Sequence, residues 1–60
     1  AYARESIGRE IARRRRAARL PQATVAAHAG IRVETLSRLE NGHGNPTAKT
    51  VRAILRALDG

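Results

Sequence analysis

Residues 21–41 read PQATVAAHAGIRVETLSRLEN, and this stretch decides the fold. Pro21 has no N–H and disfavours helical backbone in the residue before it, so it suits the first position of a new helix. Gly30 tolerates the left-handed backbone that commonly ends a helix, and Asn41-Gly42 has the same property. The stretch therefore predicts two short helices joined by a turn at Gly30, over residues 21–29 and 33–41.

The preceding segment, residues 4–19, predicts a longer helix because its alanines and arginines favour helical backbone. One stripe of this helix is apolar and consists of Ile7, Ile11 and Ala18. Gly8 weakens a helix by about 1 kcal/mol relative to alanine, which indicates a close packing contact there. The arginine run at 13–16 spreads around every side of a helix, so at least one arginine must point inward.

The following segment, residues 47–58, predicts the last helix, with Thr47 as its N-cap. Its apolar residues recur at the spacing i, i+3, i+4, i+7, at Val51, Ile54, Leu55 and Leu58. No strand pattern and no internal repeat is visible. The predicted fold class is therefore all-α, a compact bundle of four short helices, or five, in one domain over residues 1–60.

Charge and composition limit the function. The 60 residues carry a net charge of +7, which predicts a polyanionic partner, and nucleic acid is favoured over an anionic membrane. The chain contains no cysteine, Phe, Trp or Met, which argues against a ligand pocket. His28 and His43 are too far apart in sequence to indicate a zinc site. We therefore expect no metal and no cofactor.

Other function classes receive less support. The sequence shows no paired carboxylates and no glycine-rich phosphate loop, so we expect that the chain is not an enzyme. It has no apolar run long enough to span a membrane and no signal-peptide core. These features predict a cytoplasmic protein without a membrane partner.

Many positions match one known family: Ile7-Gly8, Arg15, Leu20, Gln22, Val25-Ala26, Gly30-Ile31, Leu36 to Glu40, Gly42, Asn45-Pro46 and the stripe Val51, Ile54 and Leu58. With these residues the chain resembles the phage-repressor/Cro-like (XRE-type) helix-turn-helix family. The resemblance implies a lambda-repressor-like DNA-binding domain whose helix-turn-helix consists of the second and third helices. The chain departs from the family pattern at Pro21 and Arg32, where relatives have a Ser or Thr cap. The sequence shows no fifth helix after the fourth, which many relatives use in dimerisation, so either this chain is cut short or dimers form through other contacts.

The resemblance implies that the third helix lies in the DNA major groove. The base-reading positions of the family then fall on Val33, Glu34 and Arg38, with Ser37 nearby. Arg38 could bridge guanine O6 and N7, Glu34 could accept from cytosine N4, and Val33 could pack against a thymine methyl. Two alternatives stay open: Glu34 stabilises the helix dipole, or Arg38 belongs to a solvated helix face.

Contacts to DNA phosphates are expected around this helix, from Gln22, Arg32, Asn41, His43 and Asn45. Gln22 opens the second helix, whose free N–H groups suit an anion, although it could be only an exposed first-turn residue. For His43, an ordinary loop histidine is the simpler alternative. The resemblance also implies an ion pair between Arg15 and Glu40, which we interpret as structural because a partly buried guanidinium needs a carboxylate.

The sequence leaves more than one function open. The first is a transcriptional regulator, most simply a repressor, that binds a double-stranded DNA operator as a homodimer, with subunit contacts through the fourth helix and Tyr2. The second is the DNA-binding antitoxin of a toxin–antitoxin pair, which also binds a toxin protein; a second domain is another possible protein partner. The third, a basic amphipathic peptide on membranes, is disfavoured by the short helices with glycine stops.

Overall fold

The computed structural model describes residues 4–59, with side chains from residue 6 onward, and it confirms the all-α class. The expected subunit contact at Tyr2 lies outside the described residues. The helices in this range are α1 (Arg4–Ala17), α2 (Gln22–Ala29), α3 (Val33–Glu40) and α4 (Ala48–Asp59). α1 packs against α3 and α4 packs against α2, while α2 and α3 pack against each other. Each short helix is thus supported by one of the two longer helices.

Every helix contributes one fully buried side chain to a small apolar core. Ile11, Val25, Leu36 and Ile54 are each at most 1% exposed. Burying a side chain of this size stabilises the fold by about 1.5–3 kcal/mol. The burial predicted for Ile11 and Ile54 from their apolar stripes is confirmed, and Ile31 from the turn packs partly buried against this core. The corner between α2 and α3 is therefore fixed on the common core.

Gly8 lets α1 and α3 touch backbone to backbone. A Cβ atom added at Gly8 would lie 1.7 Å from the carbonyl oxygen of Leu39, far inside any van der Waals contact. The close packing contact predicted at Gly8 is confirmed. It holds the last turn of α3 directly against α1.

The end of α1 differs from the prediction, because the helix ends at Ala17 and not at Arg19. The Leu20 N–H donates to the Arg15 carbonyl (3.1 Å), and the Arg19 N–H donates to the Arg16 carbonyl (3.0 Å). This capping pattern requires a left-handed residue after the helix, and Arg19 takes that backbone with φ 59°. Ala18 consequently lies past the helix and is exposed, so its predicted place in the apolar stripe was wrong.

The other helix ends lie within one residue of their predicted positions. Pro21 is the N-cap of α2 and not its first helical residue. Gly30 ends α2 in the predicted left-handed conformation, with φ 73°. α3 ends at Glu40, one residue early, because Asn41 is its C-cap. Thr47 caps α4 as predicted, since its Oγ1 accepts from the Thr50 N–H at 3.1 Å. No helix between residues 4 and 59 is long and apolar enough to cross a bilayer.

Candidate nucleic-acid interface

The outer face of α3 presents the residues predicted to read bases. Leu36 and Leu39 are buried on the inner face, so the 3.6-residue period turns Glu34 and Arg38 outward, one helical turn apart. Both are exposed, and neither forms an ion pair with a described residue. Ser37 is half-buried beside them. This face therefore offers a free carboxylate and a free guanidinium at adjacent positions.

Val33 adds an apolar side chain at the start of the same helix. It is 39% exposed and is the one large apolar side chain that the described residues leave exposed. Arg32 precedes it in extended backbone, with φ −78° and ψ 148°, and caps α3 with no side-chain hydrogen bond. The first N–H groups of α3 and the exposed Arg32 side chain therefore remain available to an outside partner.

The turn between α2 and α3 fixes where this face points. The Ile31 N–H donates to the Ala26 carbonyl at 2.9 Å, and the Gly30 N–H donates to the Ala27 carbonyl at 3.2 Å. These are the bonds of a Schellman motif, which needs the left-handed residue that Gly30 supplies. The side chain of Ile31 then packs on the core. The chain thus changes direction within a few residues, and backbone hydrogen bonds hold this turn in one conformation.

An ion pair joins α1 to the last residue of α3. The Arg15 Nε donates to one Glu40 carboxylate oxygen at 2.6 Å, and its Nη2 donates to the other at 3.0 Å. The two side chains are only 13% and 4% exposed. The structure therefore contains the ion pair expected from the sequence, in the two-pronged geometry that favours a buried carboxylate.

Two further bonds extend this ion pair and were not expected from the sequence. The Gln22 Nε2 donates to Glu40 at 2.9 Å, and the Arg15 Nη1 donates to the Leu20 carbonyl at 2.8 Å. The network thus ties the end of α3 to α1, to the start of α2 and to the linker between them. No sequence signal indicates these bonds, because they depend on how four separate segments pack.

The network perturbs the ionisation of both charged groups. Burial alone would raise the pKa of Glu40, but the hydrogen bonds from Arg15 and Gln22 outweigh it and hold the pKa below the ordinary value of 4.5. The hydrogen bond to Glu40 in turn raises the pKa of Arg15. Both groups are therefore charged at neutral pH, as a structural ion pair requires.

The remaining phosphate candidates follow α3. The Asn41 side chain donates to the Ser37 carbonyl at 2.9 Å and so completes the end of α3. The His43 side chain is exposed, and the His43 backbone N–H donates to the Arg38 carbonyl at 2.8 Å. Asn45 is exposed in the same loop. The loop after α3 is thus folded back onto the last turn of α3.

A cleft lies between α3 and this loop, lined by Thr35, Arg38, Leu39, Gly44, Asn45, Pro46 and Thr50. Arg38 and Asn45 are therefore brought to one site. Thr35, which is exposed on α3, also lines this cleft. It was not predicted as a site residue, because a threonine in a short helix carries no sequence signal of its own. Within residues 4–59, no three metal-ligating side chains come together.

A family model described as helix-turn-helix matches residues 11–60. No curated protein and no solved structure matches the chain significantly. The matched residues include α2, the turn at Gly30 and α3, and they cover most of the chain. The chain therefore belongs to the Cro-like (XRE-type) helix-turn-helix family of DNA-binding transcription regulators.

Proposed function

We propose that the chain is a repressor that recognises an operator in double-stranded DNA by placing α3 in the major groove. The observation that carries this proposal is the contrast between the two faces of α3. Its inner face is fixed by Leu36, Leu39 and the Arg15–Glu40 pair. Its outer face leaves Glu34 and Arg38 exposed and unpaired within the described chain.

Each side chain of α3 that we propose as a base contact has a chemical match on a base edge. The Arg38 guanidinium can donate to guanine O6 and N7, the Glu34 carboxylate can accept from cytosine N4, and Val33 can contact a thymine methyl. Ser37 can donate or accept beside them. One good two-bond contact is worth about 1–3 kcal/mol of discrimination against the wrong base. The rigid support of α3 favours this role, because base contacts need a fixed geometry.

Phosphate contacts would set the register of the domain on the duplex. We assign them to Arg32 before α3, to Asn41, His43 and Asn45 after it, and to Gln22 at the start of α2. Asn41 and Gln22 already donate their side-chain amides within the protein. Each amide keeps a second hydrogen, so for Gln22 both this hydrogen and the backbone N–H at the helix start can donate to a phosphate.

The operator would be bound by a homodimer, with two half-sites about one helical turn apart. The proposed role is binding without catalysis, and it requires no cofactor. The protein would act on the bacterial nucleoid in the cytoplasm. A toxin protein or a second domain remains the alternative protein partner. Co-purification with the product of a neighbouring gene would support the antitoxin function over a simple repressor.

A selection from random double-stranded oligonucleotides tests the proposal. The wild-type chain should select a defined motif, and Arg38→Lys should change that motif at one or two positions, because lysine keeps the charge but loses the two-bond geometry. Arg32→Ala should weaken all sequences alike, as loss of a phosphate contact does. If the wild-type chain selects no motif, only charge attraction remains and the proposal is wrong.

A further inference from the structure

We propose that Arg16 and Arg19 form a phosphate-binding patch at the end of α1, beside the start of α2. This inference rests on the proposed DNA binding and deepens it. It adds two charged side chains to the phosphate contact expected at Gln22. We call these two side chains the linker patch.

The start of α2 carries no positively charged side chain of its own, since residues 21–24 read PQAT. The Gln22 Nε2 donates one of its two hydrogens to the buried Glu40 carboxylate at 2.9 Å, and its amide is neutral, so it adds no positive charge beside a phosphate. Pro21, the N-cap, has no N–H and forms no side-chain cap bond. A charged contact beside α2 must therefore come from a neighbouring segment.

The arginines between residues 13 and 19 separate into paired and unpaired groups. Arg13 and Arg14 both bind Glu10, each at 2.8 Å, and Arg15 binds Glu40. Arg16 and Arg19 are exposed, and no carboxylate among residues 6–59 lies within ion-pairing distance of either. The unpaired positive charge of this run thus lies at its C-terminal end, next to α2.

The backbone at Arg19 gives a second reason to look for a partner outside the chain. Arg19 is the only non-glycine residue with positive φ among those described, while Gly30, Gly42 and Gly44 hold the other such positions. A side chain makes this conformation less favourable than it is for glycine. The exposed guanidinium forms no ion pair with the described residues that would compensate for this cost.

The linker patch is also held rigidly relative to the reading helix. The Arg15 Nη1 donates to the Leu20 carbonyl at 2.8 Å, and the same guanidinium binds Glu40 at the end of α3. The Arg19 backbone is hydrogen-bonded to Arg16. A phosphate held by Arg16 and Arg19 would therefore stand at a fixed offset from the bases that α3 contacts.

The salt dependence of DNA binding tests the linker patch. Each lost phosphate contact should reduce the slope of log affinity against log salt by about 0.9. Raising the salt from about 50 to about 200 mM weakens DNA binding of every variant, but the decrease in affinity should be about 3.5-fold smaller for Arg19→Gly than for the wild-type chain. Arg16→Ala should show the same smaller decrease. This change in slope should be equal for operator and random duplexes, because phosphates carry no sequence information.

Two controls separate this contact from simpler causes. Arg56→Gln removes one positive charge from α4 beside His28 and Ala29, at the other end of α2, and it should leave the slope unchanged. Arg19→Gly should also keep the melting temperature of the wild-type chain or raise it, since glycine suits a φ of 59°. Arg19→Asn, which also tolerates this backbone, should reproduce the change in slope.

An unchanged slope in Arg19→Gly would overturn the proposal, and so would an equal change in Arg56→Gln, which would indicate a general effect of net charge. Because the slope can be measured on any duplex, the linker patch is tested whether or not a motif is selected. A selected motif with an unchanged slope refutes the linker patch alone. A changed slope without a motif supports the linker patch and refutes sequence-specific recognition.

Discussion

Replacing Gly8 with alanine should destabilise the domain, although alanine favours helix by about 1 kcal/mol over glycine. The new Cβ would lie 1.7 Å from the Leu39 carbonyl oxygen, and real Cβ atoms essentially never approach within 3.0 Å, so α1 and α3 would have to separate by more than an ångström. Overpacking costs about 1–3 kcal/mol. Because backbone cannot rotate away, we expect the upper end, hence a net loss of about 2 kcal/mol, or roughly 10 °C in melting temperature.

Thermal unfolding followed by circular dichroism at 222 nm, a wavelength that reports helix, measures this loss. Arg9→Ala is the matched control, because Arg9 is exposed on α1 next to Gly8, and its effect should stay within about 0.5 kcal/mol. DNA affinity of Gly8→Ala should fall as well, since the Leu39 carbonyl also accepts the Gly42 N–H that ends α3. A melting temperature of Gly8→Ala equal to or above that of the wild-type chain would refute the packing argument.

Three further changes test the Glu40 network and the cap of α4. Glu40→Gln should lower the free energy of unfolding by about 3 kcal/mol, because Arg15 loses its buried partner; an unchanged urea midpoint at pH 7 would contradict this. The lowered pKa of Glu40 means that its stabilisation is complete above pH 4.5 and is lost as pH falls through that lowered pKa. Urea midpoints measured downward from pH 5 should show this loss in the wild-type chain and not in Glu40→Gln. Thr47→Ala should cost about 1 kcal/mol in thermal unfolding, because the Thr50 N–H loses its acceptor, whereas Thr47→Ser should not.

Much of the fold follows from local signals in the sequence. The glycine at 30 and the threonine at 47 mark helix ends whose backbone or side chain is used as expected. The apolar periods predict Ile11 and Ile54 as core, and both are fully buried. Four consecutive arginines also required one to point inward, and Arg15 does so. These features depend on residues close together in the chain.

The remaining features depend on residues far apart in the chain. No glycine or asparagine marks the end of α1, so the left-handed conformation of Arg19 carried no signal, and the helix was predicted too long. The Gln22 side chain belongs to the Glu40 network, which only the packing of α2 against α3 reveals. Glycine in a helix indicates close contact, but its partner, the Leu39 carbonyl, could not be named from sequence.

The central claim is that the exposed face of α3 reads bases, and affinities for single-base variants of the selected site test it most directly. They would be measured for the wild-type chain and for Arg38→Ala. Loss of a base-specific contact should abolish discrimination, about 1–3 kcal/mol, at one or two positions and leave the others unchanged. If Arg38→Ala weakened binding to every single-base variant of the site equally, the claim would be contradicted, because Arg38 would then act as a phosphate contact.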